Sequence, residues 1–119
     1  MEIKSVDGKA GKPIENGCIR IILKEINTQR YTVHEFPIDQ LTKWDVQEIV
    51  AQAAELSICR IVIVIRRNDA LLESTYLLRV NVPLVIAIRV AVSKAVGVAA
   101  IDGLAEIHAD LASILSRLY

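Results

Sequence analysis

The chain carries no net charge: fourteen Lys and Arg residues are cancelled by fourteen Asp and Glu over 119 residues. No global field therefore draws nucleic acid or an anionic membrane toward it. Cysteine is sparse. Cys18 and Cys59 stand far apart, and neither belongs to a C-x-x-C pair. That excludes a disulfide scaffold and fits a reducing compartment, with each thiol acting as a small buried hydrophobe at the head of a strand.

Metal and nucleophile motifs are missing as well. The two histidines, His34 and His108, form no H-x-x-x-H or H-x-E pattern, so no zinc site is expected. Ser57, Ser74, Ser93, Ser113 and Ser116 lack a G-x-S-x-G setting. Gly8-Lys9-Ala10-Gly11-Lys12 falls short of the full phosphate-loop spacing and has no strand before it. Met1 to Asn16 is polar and lacks the apolar centre of a signal peptide.

The longest apolar stretch, Val82 to Ile101, is interrupted by Pro83 and Gly97 and contains Arg89 and Lys94. Each of those charges would cost about 2.5–3.5 kcal/mol near the middle of a bilayer. The expectation is a soluble, cytoplasmic protein that engages neither membrane nor nucleic acid. Aromatic residues are few, one Trp, three Tyr and one Phe, against a high aliphatic content. Polar cover then runs short, and a homo-oligomer is expected.

What the chain does have is two short β-branched runs, Ile61-Val62-Ile63-Val64-Ile65 and Leu84-Val85-Ile86-Ala87-Ile88. Unalternating runs of this length read as strands covered on both faces, the habit of a parallel sheet. Residues 1–17, with Gly8, Gly11, Pro13 and Gly17, read as a flexible N-terminal arm, and residues 18–119 as one α/β domain.

Within that domain, Ile19–Ile26 and Tyr31–Phe36 form a hairpin through the loop 27–30. Thr42 caps a helix whose apolar positions include Val46, Ile49, Val50 and Ala53. Arg60–Ile65 is a strand, Asn68 or Asp69 caps a helix over Ala70–Val80, and Leu84–Val90 is the next strand. Ser93 caps a short helix to Ala100, or Val96–Ile101 is a further strand. Asp102 opens a last helix, whose Leu111, Leu115 and Leu118 suit packing on the sheet or on a partner copy. The architecture expected is a single-domain three-layer α/β sandwich. It has a mixed sheet, an N-terminal hairpin, a parallel βαβ core and a C-terminal helix.

In that arrangement Arg66, Arg67 and Arg89 converge beyond the strand ends, with Asn68, Ser93 and Lys94 facing the same crevice. Guanidinium forks beside a helix N-terminus suit phosphate or carboxylate. His34 and its neighbour Glu35 point to opposite faces of a strand, which breaks that acid–base pair.

From Thr42 to Ile101 the order of elements resembles the C-terminal half of the formate dehydrogenase accessory proteins. The matching points are an apolar strand ending on Arg66, a helix, and the Val-Pro run Val82-Pro83-Leu84-Val85-Ile86-Ala87-Ile88 followed by small residues. The resemblance implies a cytidine-deaminase-like fold. It also implies a crevice for a molybdopterin-guanine-dinucleotide-type cofactor, with Arg66 and Arg89 near its anionic groups. The family's acidic-Gly-Arg-His segment, sulfur-transfer cysteine motif and Ser-Ala-Pro-Thr turn have no counterparts here. Binding is therefore implied and sulfur transfer is not.

The reading is a non-catalytic binding or accessory module for a phosphate-bearing small molecule, working as an oligomer. A protein-interaction subunit without a small ligand, and a small enzyme, are the alternatives.

Overall fold

The computed structural model describes residues 3–4, 12–79 and 81–119. One sheet is built from Ile3–Lys4 (β1), Cys18–Glu25 (β2), Tyr31–Pro37 (β3), Ile58–Arg67 (β4) and Ala70–Leu77 (β5). Lys43–Gln52 (α1) joins β3 to β4, and Leu84–Ile101 (α2) and Ala105–Arg117 (α3) follow β5. The strand order is β1-β3-β2-β4-β5, and every neighbouring pair is antiparallel.

The α/β class holds. The parallel βαβ core does not, and the reason lies in Asn68-Asp69. Asn68 adopts φ 56 and, with Asp69, closes a two-residue turn between the paired Arg67 and Ala70. Asn and Asp are as good in left-handed hairpin turns as in helix caps. The segment expected as a helix, Ala70–Val80, is therefore the return strand β5 over Ala70–Leu77.

The run expected as the next strand, Leu84–Val90, is the start of α2, which continues unbroken through the disputed 96–101 segment. Pro83, extended at φ −58 and ψ 140, is the last residue before it. The Val82–Ile88 run behind the family resemblance is thus helical after Pro83. Ala87, Ile88, Ala91, Val92, Ala95 and Ala99 form its buried stripe.

Asp102 does not open the last helix; it ends α2. Gly103 at φ 71 follows it, Leu104 N–H donates to the Ala99 carbonyl (3.0 Å) and Gly103 N–H to that of Ala100 (3.3 Å). This double closure through a left-handed glycine is the Schellman ending. By contrast Thr42 does precede α1. Its backbone N–H donates to Asp45 Oδ2 at 2.9 Å and its hydroxyl to the same oxygen at 3.0 Å.

Secondary structure forms two layers, not three. All three helices pack on one sheet face against Ile19, Ile21, Leu23, Ile61, Ile63 and Ile65. The other face carries a smaller cluster of Ile22, Tyr31, Val62 and Val64 with Ile14 from the lead-in. The Ile61–Ile65 run is thus buried on both faces, as its composition requires, without any parallel neighbour.

Of the expected arm, residues 1–2 and 5–11, which include most of the Gly8–Lys12 segment, lie outside the described residues. Ile3–Lys4 pair with β3, and Ile14 is buried. The α3 leucines serve the chain's own core: Leu111 and Leu118 are buried in it and Leu115 packs against it.

Candidate functional site

The β2–β3 hairpin supplies a cleft of about 430 Å³, lined by residues 24–31 with Cys59 and Arg60. Its walls follow from local sequence. Asn27 takes the left-handed conformation at φ 59 that turns the loop. Glu25 is buried at the strand end, where Arg30 donates to it from Nε (2.8 Å) and Nη2 (2.9 Å). The Thr28 hydroxyl and the Ser57 backbone N–H also donate to this carboxylate, at 3.0 and 3.3 Å. Arg30 and these further donors hold the Glu25 pKa below its usual value, against the opposing effect of burial. Glu25 and Arg30 therefore form a closed pair that shapes the wall.

Two other cations in the cleft are not paired. Lys24 on β2 stands directly opposite Arg60 on β4, so both side chains leave the same sheet face. Like charges in that relationship repel. Among the described residues neither takes part in an ion pair or a side-chain hydrogen bond. The register slips immediately beyond, Glu25 pairing with Ile58, which leaves Cys59 as an extra residue in β4. Such a bulge bends a strand and re-aims its side chains. Cys59 is half-buried and lines this cleft and the neighbouring one.

The residues expected to converge are dispersed. Arg66 lies on the face away from the helices, where its Nη1 donates to the Ile14 carbonyl (3.1 Å) and its Nε to that of Asn68 (3.3 Å). It clasps the lead-in to the sheet. Arg67 makes a two-pronged ion pair with Asp110 of α3, both bonds 2.9 Å, which raises its pKa further. Asn68 caps no helix, since the segment after it is β5; its N–H donates to Asn16 Oδ1 at 2.6 Å.

Arg89 is on the helical side, its guanidinium 4.8 Å from the Tyr119 ring centre. Ser93 is exposed on α2, and Lys94 donates to the Thr75 carbonyl at 2.6 Å. Arg66 and Arg89 thus occupy opposite faces of the sheet. Their convergence required Leu84–Val90 to be a strand beside β4, and a helix there carries Arg89 into another layer.

Sequence reasoning passed over Lys24 and Arg60 because each finishes or begins a strand unremarkably. Only the pairing of β2 with β4, strands separated by β3 and α1, sets them side by side.

Elsewhere, His34 and Phe36 meet Asp45, Glu48, Ile49 and Gln52 of α1 around a 220 Å³ cavity. His34 is buried and hydrogen-bonded to the Thr32 hydroxyl at 3.0 Å, and burial lowers its pKa to about 4. Glu35 leaves by the opposite face, as the strand period dictates, and meets Arg20 there. Glu15, Cys18 and Glu35 bring potential ligand atoms within 4.8 Å of one another. Glu35 is already held by Arg20, through Nη2 at 2.7 Å and Nε at 2.8 Å, so this cluster is organised around a guanidinium.

Comparison with protein-family models, curated proteins and solved structures gives no match.

Proposed function

We propose that this chain is a non-catalytic binding module for a small anionic ligand, phosphate or carboxylate, taken at the Lys24–Arg60 cleft. One observation carries the reading: two like charges held opposite each other on adjacent strands, without a counter-charge among the described residues, at a cleft of about 430 Å³. Sites for small molecules fall in the range of roughly 300–1,000 Å³. An anion between the two cations converts a repulsive contact into a bridged one. Arg60 offers a planar fork and Lys24 a compact point charge, a combination suited to phosphate or carboxylate oxygens.

The remaining walls favour binding over catalysis. Arg30 is committed to Glu25, and no histidine is among the described residues lining the cleft. Cys59 has no base beside it in that lining to generate a thiolate. The anion reading made from sequence therefore carries over, with Lys24 and Arg60 in place of Arg66, Arg67, Asn68, Arg89, Ser93 and Lys94.

The test is a thermal-shift series with inorganic phosphate, nucleotides, sugar phosphates and dicarboxylates, on wild type and on Lys24→Gln/Arg60→Gln. Ligand bound only by the native state adds RT ln(1 + [L]/Kd) to stability, about 2.7 kcal/mol at a hundredfold excess over Kd. The expected result is a saturable shift absent from the double variant. A shift that survives in the double variant, or no shift with any anion, overturns the reading.

A further inference from the structure

We propose that a second copy of this chain pairs with the free edge of β5, antiparallel, about a two-fold axis at Ser74. This edge is independent of the anion cleft, and its hydrogen-bond parity leaves it open. Leu78 N–H donates to the Cys59 carbonyl at 2.8 Å, and Arg60 stands opposite Leu77. In an antiparallel ladder bonded and non-bonded pairs alternate. Ala70, Leu72, Ser74 and Tyr76 therefore bond to β4, while Leu71, Glu73, Thr75 and Leu77 turn their N–H and C=O groups outward. Lys94 confirms this parity by reaching the Thr75 carbonyl at 2.6 Å. Among the described residues no other strand covers this edge.

The sequence of the edge is complementary to its own reversal. Asp69-Ala70-Leu71-Leu72-Glu73-Ser74-Thr75-Tyr76-Leu77-Leu78-Arg79, turned about Ser74, sets Leu71 opposite the partner's Leu77 and Glu73 opposite the partner's Thr75. It sets Asp69 opposite the partner's Arg79, at both ends. Leu71 and Leu77 are 58% and 62% exposed and share the face away from the helices, so pairing removes apolar surface from water. Asp69 and Arg79 are both exposed and have no ion pair among the described residues.

Neighbouring registers fail. An axis on Glu73 sets that carboxylate against its own copy, a repulsive pair. An axis on Thr75 sets Leu71 against Arg79 and Glu73 against Leu77. Only the Ser74 axis matches apolar with apolar and charge with opposite charge, while pairing every outward backbone group from Leu71 to Leu77.

Lys94 does not block this register. A carbonyl oxygen has two acceptor sites, so Thr75 can keep its lysine while accepting the partner's Glu73 N–H. Lys94 also places α2 beside the edge, and Val90 and Ile101 lie within about 40° of it around the helix. Both are exposed apolar residues. The interface is isologous, as closed two-fold dimers require.

The experiment is sedimentation equilibrium on the full chain and four variants: Thr75→Pro, Asp69→Arg, Arg79→Asp, and the double exchange of Asp69 and Arg79. Proline at 75 removes an outward N–H and leaves the β4 ladder intact, the one setting in which a strand tolerates it. Wild type is expected to be a dimer and Thr75→Pro a monomer with a native circular dichroism spectrum. Each single charge reversal should weaken dimerisation roughly tenfold, and the double exchange should restore it. Restoration cannot come from a variant that merely misfolds. A wild type that stays monomeric up to its solubility limit, its edge guarded by Lys94, overturns the proposal. So does a dimer indifferent to the charge exchange.

Discussion

Lys24 and Arg60 face one another across the β2–β4 ladder, two cations where a folded chain optimised for stability alone would place opposite charges. Functional sites are where such local conflicts are kept. Neutralising one partner should relieve the repulsion. Arg60→Gln is expected to unfold at a higher denaturant midpoint than wild type in the absence of added anions, by about 0.2–1 kcal/mol. The gain should shrink in high salt as the repulsion is screened. Equilibrium urea unfolding at low and high salt checks both.

Arg20 and Glu35 are the opposite case, a buried cation paired with a partly buried carboxylate on the face away from the helices. Arg20 Nη1 also donates to the Lys12 carbonyl at 2.7 Å, fastening the lead-in. Glu35→Ala leaves a buried guanidinium without its counter-charge and should cost about 3–5 kcal/mol. Replacing both with aliphatic residues of similar volume should cost much less. Chemical denaturation of the single and double variants measures the difference.

His34 sets an acid limit. Its pKa is near 4 in the fold because burial disfavours the imidazolium, against 6.5 in an exposed chain. The unfolded state therefore binds the extra proton between those values, and stability rises with pH across that window. The neutral His34 contributes fully above pH 6.5. Its contribution is lost as pH falls toward 4, on the order of 3 kcal/mol in all. Asp45 and Glu48 line the same cavity. His34→Gln should flatten the stability profile between pH 6.5 and 4. Urea unfolding at half-unit pH steps tests it.

Gly97 sits in the interior of α2, exposed, with nothing within 4 Å of where a Cβ would stand. Its backbone is helical, so alanine can adopt the same conformation. Gly97→Ala should stabilise the chain by about 0.5–1 kcal/mol through a less flexible unfolded state. A thermal melt showing no gain would mean that something packs on this part of α2.

Much of the framework was legible where residue chemistry has a single solution. The hairpin through loop 27–30, the Thr42 start of α1 and the burial of Ile61–Ile65 on both faces all follow from local pattern. Asn68-Asp69 was not legible because a hairpin turn and a helix cap ask for the same side chains. Leu84–Ile88 was ambiguous for another reason: a run with no polar position has no period to read. Asp102 looked like an opening cap, and the following Gly103 was the available signal that it closes α2. The candidate cleft depends on a pairing between strands distant in sequence, which no local pattern encodes.

The most direct test of the account is the melting temperature of Arg60→Glu beside wild type, at low salt, with and without the anion that shifts wild type most. Charge reversal turns the repulsive cross-strand contact with Lys24 into an attractive one and removes the anion's partner. The account predicts a variant that melts above anion-free wild type and does not respond to the anion. A variant that melts lower, or one that still responds, would contradict it.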